Sequence, residues 1–393
     1  MAESVGSARP VPPERGALRS VLLAGGGSAG HVNPLLAVAD ELRRRDPAVR
    51  VTVLGTTAGL EADLVPARGY PLVPLPRVPV PRRPTLDWFR LPGRLSAAVR
   101  AAGEAIDASG AQVVVGFGGY VAAPAYLAAR RRGVPVVVHE QNARPGLANR
   151  LGAQWARAVA VTFPGTPIRG GKVTGLPLRP EIAALVTARS VDSHQARAEA
   201  AEALGLEPTL PTVLVTGGSL GAQSLNATMA RCAGDVLATG AQVLHLTGKG
   251  KSAAVRRELS AHPEVAATGR YHVHEYLTEM HLALAVADVV VARSGAGTVS
   301  ELAALGLPAV YVPLPIGNGE QRLNAAPVVA AGGGLLVADA DLTPTWLRQH
   351  LLPLLADRDR LLAMGVAARG AGVTDAAARV ADLVEAAAGD GPR

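Results

Sequence analysis

Glycine-rich turns that join apolar runs to helix-like patterns are the features of this sequence whose residue types and spacing could do chemistry. The first turn, GGGSAGH at residues 25–31, places Gly25, Gly27 and Gly30 at the G-x-G-x-x-G spacing of dinucleotide-binding turns and ends in His31. The backbone N–H groups that open a helix lack helical partners and carry partial positive charge, so they suit a diphosphate. Glycine lets the anion approach because it has no Cβ. A tight turn with close helix packing is the structural alternative for any single instance.

Two further turns repeat this construction, GFGGY at residues 116–120 and GGSLGA at residues 217–222. An NAD-binding site also expects an acidic residue near the end of its second strand. Here the matching segment, VRVTVLGTT, ends in Gly55, Thr56 and Thr57. We therefore interpret the turns as sites for two phosphate-bearing substrates, and an NAD(P)-dependent oxidoreductase is the disfavoured alternative.

The elements that must position these turns alternate along the chain in the manner of βαβ units. Continuous Val- and Leu-rich runs bounded by glycine are typical of parallel strands buried on both faces. The pattern predicts strands at SVLLAGG, VRVTVLG, AQVVVGFGG and VPVVVHEQ, and helices at PLLAVADELRRR and APAYLAARRR. A second series begins at TVLVTGGSLGAQSLNATMARC, whose opening turn is built like that of the first series. The sequence thus predicts an α/β fold of two Rossmann-like parallel-sheet domains that face each other across a cleft.

Composition supports a folded α/β enzyme and argues against several other classes. The 393 residues are 49% hydrophobic, which suits cores built from small aliphatic side chains. Cys232 is the only cysteine, so an intrachain disulfide or a cysteine-cluster metal site cannot form. The net charge of +7 is spread along the chain without a basic–aromatic motif. We therefore expect an anionic membrane surface, and no nucleic acid, as a partner.

Two segments could be taken for an export signal or a membrane span, and their composition argues against both. Residues 1–18 lack an apolar segment and are predicted to form a flexible tail rather than a signal peptide. Residues 111–129 carry no charge, but three glycines and Pro124 divide them into strand, loop and helix. A transmembrane span is therefore not expected there.

Eight motifs follow one another from about residue 20 to about residue 385. They are GGGSAGHVNPLLAVADEL, GFGGYVAAPAYLAA, VVHEQNARPGLANR, VTGLPLR, VTGGSLGAQSLN, HEYLTEM, ADVVVARSGAGTVSELAALGLPAVYVPLP and NGEQRLNA. In this order they resemble the MurG family of glycosyltransferase family 28. The resemblance implies a GT-B fold and an inverting transfer of GlcNAc from UDP-GlcNAc to the C4 hydroxyl of MurNAc in lipid I, which forms lipid II for peptidoglycan synthesis. It implies neither a cofactor nor a metal site, because helix N-termini can stabilise the departing UDP.

The resemblance also implies which residues bind the donor, in the carboxyl-terminal domain and along the cleft. Glu301 matches a carboxylate that accepts both ribose hydroxyls, and Arg179 matches an arginine that helps UDP to leave. The structural alternatives are a first-turn glutamate favoured by the helix dipole and a solvated linker arginine. The residues matched to UDP-GlcNAc are Ser28, Ala29, Gly30, Asn142, Arg179, Ser219, Tyr276, Leu277, Ala296, Gly297, Thr298, Val299, Ser300, Glu301, Gln321 and Asn324.

Some of these positions depart from the family pattern or have a simple packing alternative. Tyr276, Leu277 and Met280 match contacts to uracil, for which core packing is the alternative. Gly297 replaces a larger residue that some members have, so its side-chain contact is lost. Glu320 precedes Gln321 where some members have a second glutamine.

On the acceptor side, the resemblance assigns His31 as the general base. The position near a helix N-terminus disfavours imidazolium and keeps the ring neutral, as a base requires. The alternative is a histidine that caps the helix or contacts the acceptor phosphate. Gly118, Gly119 and Tyr120 of the second glycine turn are predicted to hold the acceptor diphosphate.

The polyprenyl chain of the acceptor stays in the bilayer, so the resemblance implies a peripheral enzyme at the cytoplasmic face of the cell membrane. The segment VPVPRRPTLDWFRLPGRL interleaves apolar side chains with arginines, as an interfacial attachment requires. A proline-rich loop folded onto its own domain is the alternative. The predicted membrane contacts are Trp88, Phe89, Leu91, Arg82 and Arg83.

The predicted organisation has four parts. A tail (1–18) precedes an N-terminal acceptor and membrane-facing domain (19–182) and a C-terminal UDP-GlcNAc-binding domain (183–370), and a final helix (371–393) packs back on the N-terminal domain. The alternatives in function are another GT-B UDP-sugar transferase, a UDP-GlcNAc 2-epimerase, and a catalytically silent regulator that binds a sugar nucleotide.

Overall fold

The strands form two separate sheets, one in each half of the chain. The computed structural model describes residues 17–76, 78, 87–218 and 221–389. The first sheet has seven strands in the order β3-β2-β1-β4-β5-β6-β7, and the second has six in the order β10-β9-β8-β11-β12-β13. All the strand pairings are parallel. The predicted pair of parallel-sheet α/β domains is confirmed.

The first sheet and its helices form the N-terminal half. Its strands are β1 Ser20–Ala24, β2 Arg50–Gly55, β3 Leu72–Pro74, β4 Val113–Gly116, β5 Val136–Glu140, β6 Ala158–Val161 and β7 Gly171–Val173. Its helices are α1 Ala29–Arg45, α2 Glu61–Ala67, α3 Asp87–Ser109, α4 Gly119–Arg132 and α5 Leu147–Gly152.

Strand β1 shows why an uninterrupted apolar run was the correct signal for this sheet. Every residue of β1 is buried. Val21 and Leu23 belong to the core on the α1 side of the sheet. Leu22 and Ala24 belong to the core on the α3 and α4 side. Because side chains alternate between the two faces of a strand and both faces are covered, no polar residue interrupts the run.

The second sheet follows two connecting helices, α6 Pro180–Val191 and α7 Ser193–Leu204. Its strands are β8 Thr212–Thr216, β9 Gln242–Leu246, β10 Tyr271–His274, β11 Val289–Ala292, β12 Ala309–Tyr311 and β13 Gly334–Leu336. The remaining helices are α8 Gln223–Arg231, α9 Ala233–Ala238, α10 Ser252–Ser260, α11 Pro263–Thr268, α12 Met280–Val286, α13 Ala296–Leu305, α14 Glu320–Ala330, α15 Pro344–Ala356, α16 Arg358–Ala371 and α17 Ala376–Gly389.

The last helix returns to the first sheet. Helix α17 lies against α1 and the first-sheet strands β4, β5 and β6. Arg45 at the end of α1 donates hydrogen bonds to Asp382 (2.7 Å) and Glu385 (2.9 Å) of α17. Helix α16, by contrast, packs on α13 and α14 of the second half. The chain therefore crosses between the two halves after β7 and again between α16 and α17; the exact domain limits remain predictions.

Helix α1 begins earlier than the sequence pattern indicated. The pattern placed the start of this helix at Pro34, but the helix runs from Ala29 and contains the proline. The N–H groups of His31 and Val32 both bond the carbonyl oxygen of Ser28, at 3.1 Å, which starts the helix before the proline. His31 therefore lies on the first turn of α1 rather than in the loop before it.

Among the helices of the described ranges, none combines the length and the apolar composition that a membrane-spanning helix needs. The predicted tail, residues 1–18, lies outside the described residues except for its last two.

Candidate active site

A cleft of about 600 Å³ lies where the two sheets face each other. Its walls are built by the segments that follow β1, β5 and β7 in the first sheet and β8, β10 and β11 in the second. Ligands of open parallel sheets bind in this place, beyond the carboxyl ends of the strands. The cleft brings together segments from both halves of the chain.

Most of the predicted donor and base residues line this cleft. They are Ser28, Ala29, Gly30, His31, Asn142, Arg179, Tyr276, Leu277, Ala296, Gly297, Thr298 and Glu301. Ser219 lies outside the described residues, and its neighbour Gly218 lines the cleft. Val299 and Ser300 instead border a separate cavity of about 210 Å³.

The imidazole of His31 is held as a neutral ring whose proton sits on Nδ1. Nδ1 lies 3.1 Å from the carbonyl oxygen of Gly26 and 3.0 Å from Oγ of Ser28. A carbonyl oxygen only accepts, so Nδ1 donates to it and Nε2 keeps its lone pair. Burial lowers the pKa of His31 below 6.5, although the Gly26 contact and two nearby carboxylates act in the opposite direction. The ring is therefore an available proton acceptor at neutral pH.

One of those carboxylates, Glu61, packs against the first glycine turn. It accepts hydrogen bonds from the backbone N–H of Gly27 (2.9 Å) and from the N–H (3.0 Å) and hydroxyl (2.7 Å) of Thr56. Its side chain is fully buried, which by itself would raise the pKa of Glu61, but these hydrogen bonds lower it below the usual value. A Cβ on Gly26 would stand 2.4 Å from the Glu61 carboxylate. The lack of a side chain at Gly26 therefore leaves room for the carboxylate of Glu61.

The second carboxylate, Glu140, braces the loop that follows β5. It accepts hydrogen bonds from the N–H groups of Asn142 and Gly146 and from the amide of Asn149, each at 2.9 Å. Asn149 in turn accepts a bond of 2.8 Å from the hydroxyl of Tyr126. This loop, residues 140–146, therefore has a defined shape where it meets the cleft.

The second glycine turn packs against the first one. Gly118 and Gly119 have φ angles of +93° and +77°, a region that favours glycine. A Cβ on Gly119 would meet the carbonyl oxygen of Gly26 at 2.6 Å, and one on Gly118 would lie 3.1 Å from Nε2 of His31. Tyr120 is 57% exposed on the first turn of α4. Whether these three residues hold the acceptor diphosphate stays a prediction.

Arg179 and Glu301 form a bidentate pair at the cleft. Nε and Nη2 of Arg179 donate to the two carboxylate oxygens of Glu301 at 2.8 and 2.9 Å. Burial by itself would lower the pKa of Arg179, but the contact with Glu301 raises it. The pair lies beside the first turn of α13, whose N–H groups have no helical acceptors. The residue expected to bind the ribose, Glu301, and the residue expected to bind the diphosphate, Arg179, therefore lie next to each other.

The predicted uracil contacts lie on the same side. Tyr276 is 51% exposed at the cleft, and the ammonium of Lys249 lies 5.2 Å from the centroid of its ring. Leu277 is partly buried against the core of the second half. An aromatic face and a cation at the edge of the cleft suit a planar base that is attached to phosphates.

Gln321 and Asn324, the two residues matched to the GlcNAc hydroxyls, are not on the cleft surface in this structure. Oε1 of Gln321 accepts the N–H of Leu314 at 2.9 Å, and Glu320 lines the cleft instead. Asn324 is fully buried, and both amide atoms are engaged with other residues. Their contact with the sugar stays a prediction.

Sequence reasoning missed Glu61 and the bracing role of Glu140. Glu140 lies within the quoted motif VVHEQN, and its place at the end of β5 was an available signal. Glu61 stands in a segment with no distinctive pattern, GLEADL, and only its approach to the glycine turn reveals it.

Comparison with known proteins agrees with this geometry. The model of the glycosyltransferase family 28 N-terminal domain matches residues 21–161, and that of the C-terminal domain matches residues 212–380. The chain is 56% identical over 364 residues to the UDP-N-acetylglucosamine–N-acetylmuramyl-(pentapeptide) pyrophosphoryl-undecaprenol N-acetylglucosamine transferase of Clavibacter michiganensis subsp. michiganensis, covering 92% of this chain and 95% of the relative. A protein of the same name from Bifidobacterium longum is 52% identical over 372 residues, covering 91% and 94%.

The crystal structure of Acinetobacter baumannii MurG superposes with a TM-score of 0.73 at 28% identity and covers 94% of this chain and 99% of that one. The two facing parallel-sheet domains and the cleft between them define a GT-B glycosyltransferase. Within that class, the chain belongs to glycosyltransferase family 28 and to its MurG family. The resemblance inferred from the motifs is confirmed.

Proposed function

We propose that this protein transfers N-acetylglucosamine from UDP-N-acetylglucosamine to the C4 hydroxyl of the N-acetylmuramyl sugar of lipid I and so forms lipid II for peptidoglycan synthesis. One observation carries the proposal: a neutral histidine on the N-terminal half shares a cleft with Arg179, Glu301 and the start of α13 on the other side. The names of the relatives from Clavibacter and Bifidobacterium support the same donor and acceptor.

His31 supplies the base for this reaction. Nε2 accepts the proton of the C4 hydroxyl as the hydroxyl oxygen attacks the anomeric carbon of GlcNAc. The new C–O bond forms on the face opposite the UDP, so the configuration inverts. The carbonyl of Gly26 holds the Nδ1 proton in place and orients the ring throughout.

The other side of the cleft supports the departure of UDP. The bond from the anomeric carbon to the diphosphate oxygen breaks, and the electron pair leaves with UDP. The N–H groups of the first turn of α13 and the guanidinium of Arg179 stabilise the charge that develops there. Glu301 accepts the ribose hydroxyls, so the nucleoside and the diphosphate bind at adjoining groups.

The enzyme works as a peripheral protein at the cytoplasmic face of the membrane, because the acceptor is anchored there by its lipid. Leu91 is partly exposed in α3, a helix whose later turns pack on α4. Arg82 and Arg83 lie outside the described residues, as do the side chains of Trp88 and Phe89. Substituting all five predicted contacts should reduce sedimentation with anionic vesicles while UDP affinity stays constant; unchanged sedimentation would contradict the attachment.

The decisive experiment supplies radiolabelled UDP-GlcNAc and a lipid I analogue, with and without a chelator. We expect a β-linked disaccharide-pyrophosphoryl lipid whose rate of formation the chelator does not change. Incubation with UDP-GlcNAc alone separates the alternatives, since a 2-epimerase would convert it to UDP-ManNAc. A silent regulator would bind UDP-GlcNAc and form neither product, and either of these results would reject the proposed reaction.

A further inference from the structure

The turn that follows β9 has the composition of a phosphate-binding loop, TGKGKS at residues 247–252. Gly248 and Gly250 have φ angles of +89° and +71°, and α10 begins at Ser252. Backbone of this kind before a helix gathers N–H groups around an anion. The anion that this turn holds is the carboxylate of Glu275, from the loop after the neighbouring strand β10.

The pairing of β9 with β10 brings Glu275 to this turn. The hydrogen bonds between the strands continue past their ends, since the N–H of Gly248 donates to the carbonyl oxygen of Glu275 at 2.9 Å. The side chain of Glu275 then accepts the N–H of Gly250 at 2.9 Å and the hydroxyl of Ser252 at 2.7 Å. These bonds, that of Gly250 most of all, lower the pKa of Glu275 below its usual value. The carboxylate therefore stays charged at neutral pH.

The loop that Glu275 anchors, residues 275–279, carries the predicted contacts to the base. Tyr276 and Leu277 follow Glu275 directly, and all three line the cleft. The ring of Tyr276 is 51% exposed, so its own packing does little to fix its position. The turn 247–252 also reaches this ring, since the ammonium of Lys249 lies 5.2 Å from its centroid. The base-contacting loop is therefore supported by the turn after β9.

We propose that Glu275 is a positioning residue, which fixes the loop 275–279 against the turn 247–252 and so presents Tyr276 and Leu277 to the base of the nucleotide. Both carboxylate oxygens are engaged by the turn, so the effect on the nucleotide passes through the loop. The charge of Glu275 by itself disfavours a diphosphate, whereas its positioning of the loop favours binding; the two effects have opposite signs. The effect on UDP rests on the proposed function, and the contact between the two segments does not.

The principal variant is Glu275→Ala, which removes both acceptors. Glu275→Gln is the rescue variant, because its amide oxygen can accept from Gly250 while its amino group donates to the hydroxyl oxygen of Ser252. Glu279→Ala is the matched control, since Glu279 is exposed in the same loop and its loss removes the same charge. A fourth variant, Ser252→Ala, removes one of the two bonds from the turn and leaves the loop unchanged.

Hydrogen exchange of the segment 248–252 reports on the Gly250 amide without any ligand. We expect Glu275→Ala to accelerate this exchange by about 10-fold and Ser252→Ala by less, with Glu275→Gln and Glu279→Ala close to the unsubstituted chain. Isothermal titration then measures the affinity for UDP. We expect binding to weaken by about 10-fold in Glu275→Ala and to recover in Glu275→Gln. Glu279→Ala should bind UDP as tightly as the unsubstituted chain or slightly more tightly.

Kinetics separates positioning of the base from a part in the chemical step. Glu275→Ala should raise KM for UDP-GlcNAc by about 10-fold and leave kcat within about twofold, because the base lies away from the reacting atoms. Tighter UDP binding in Glu275→Ala would show that the vacated turn takes up a phosphate, and would overturn the proposal. Affinity equal to that of Glu279→Ala, or equal weakening in Glu275→Gln, would also overturn it. Absence of UDP binding by the unsubstituted protein would instead reject the proposed donor.

Discussion

The two halves of the molecule bring the same backbone device to the cleft but surround it with different side chains. In the first half, the carboxylate of Glu61 packs against the turn after β1 and accepts the N–H of Gly27, and Glu140 lies near His31. In the second half, the turn that opens α13 lies beside the ion pair of Arg179 with Glu301. A strand–glycine–helix turn alone therefore does not identify an anion site. The side chains packed around it decide whether its N–H groups are available to a bound anion.

The largest effect should come from His31, the proposed base in the first half. We expect His31→Ala to lower kcat by about 10²- to 10⁴-fold, because the C4 hydroxyl loses its proton acceptor. Calorimetric affinity for UDP should stay the same, since the proposed nucleotide site lies on the other half. His350→Ala is the control, as this histidine is exposed and stacked on Trp346 with ring centroids 4.4 Å apart. Activity of His31→Ala near that of the control would remove His31 from catalysis.

On the proposed nucleotide side, Arg179→Ala should weaken UDP binding by about 10- to 100-fold, because a charged hydrogen-bond donor to the diphosphate is lost. The measurement is isothermal titration with UDP. Arg197→Ala is the matched control, since Arg197 donates to Asp288 at 2.9 Å as part of the framework of the second half. Equal affinity in the two variants would show that Arg179 does not bind the nucleotide.

The carboxylate of Glu61, which packs against the first turn, should contribute more to folding stability than to ligand binding. We expect Glu61→Gln to lower the free energy of unfolding by about 1.5–3 kcal/mol, because one buried amide replaces a carboxylate that accepts three charged hydrogen bonds. Urea unfolding measures it, with the exposed neighbour Asp63→Asn as the control. Tighter binding of a free phosphate to Glu61→Gln would show instead that the turn is an anion site that Glu61 blocks.

The smallest expected effect is on pH dependence. Burial lowers the pKa of His31 below 6.5, so the neutral base and the activity persist below that pH and are lost as pH falls through the lowered pKa. The charge of Glu61 raises the pKa of His31 and partly opposes burial. The acid limb of the kcat profile of Glu61→Gln should therefore move to lower pH. A shift to higher pH would contradict the proposed electrostatics around the base.

Local sequence was sufficient for the fold because its signals lie within short segments, as uninterrupted apolar runs followed by glycine turns. The apolar runs of β1, β4 and β5 are buried at every position, as continuous Val and Leu predict for parallel strands covered on both faces. The glycine turns could be predicted because each one directly follows such an apolar run. The start of α1 was misplaced because Pro34 suggested a first helical position, whereas the carbonyl of Ser28 already begins the helix.

The sequence by itself determined the two parallel sheets, the turns at their strand ends and the chemical groups that stand there, including His31. Only the tertiary structure decided which groups meet. Arg179 and Glu301 are 122 residues apart in the chain, and Asn142 and Asn324 are 182 apart. Helix and strand patterns reflect neighbours within a few residues, so they carry no record of such pairs. Burial of both sheets and the packing of the two halves around the cleft bring those side chains into contact. The same packing places the carboxylate of Glu61 against the first turn, where it accepts the N–H of Gly27.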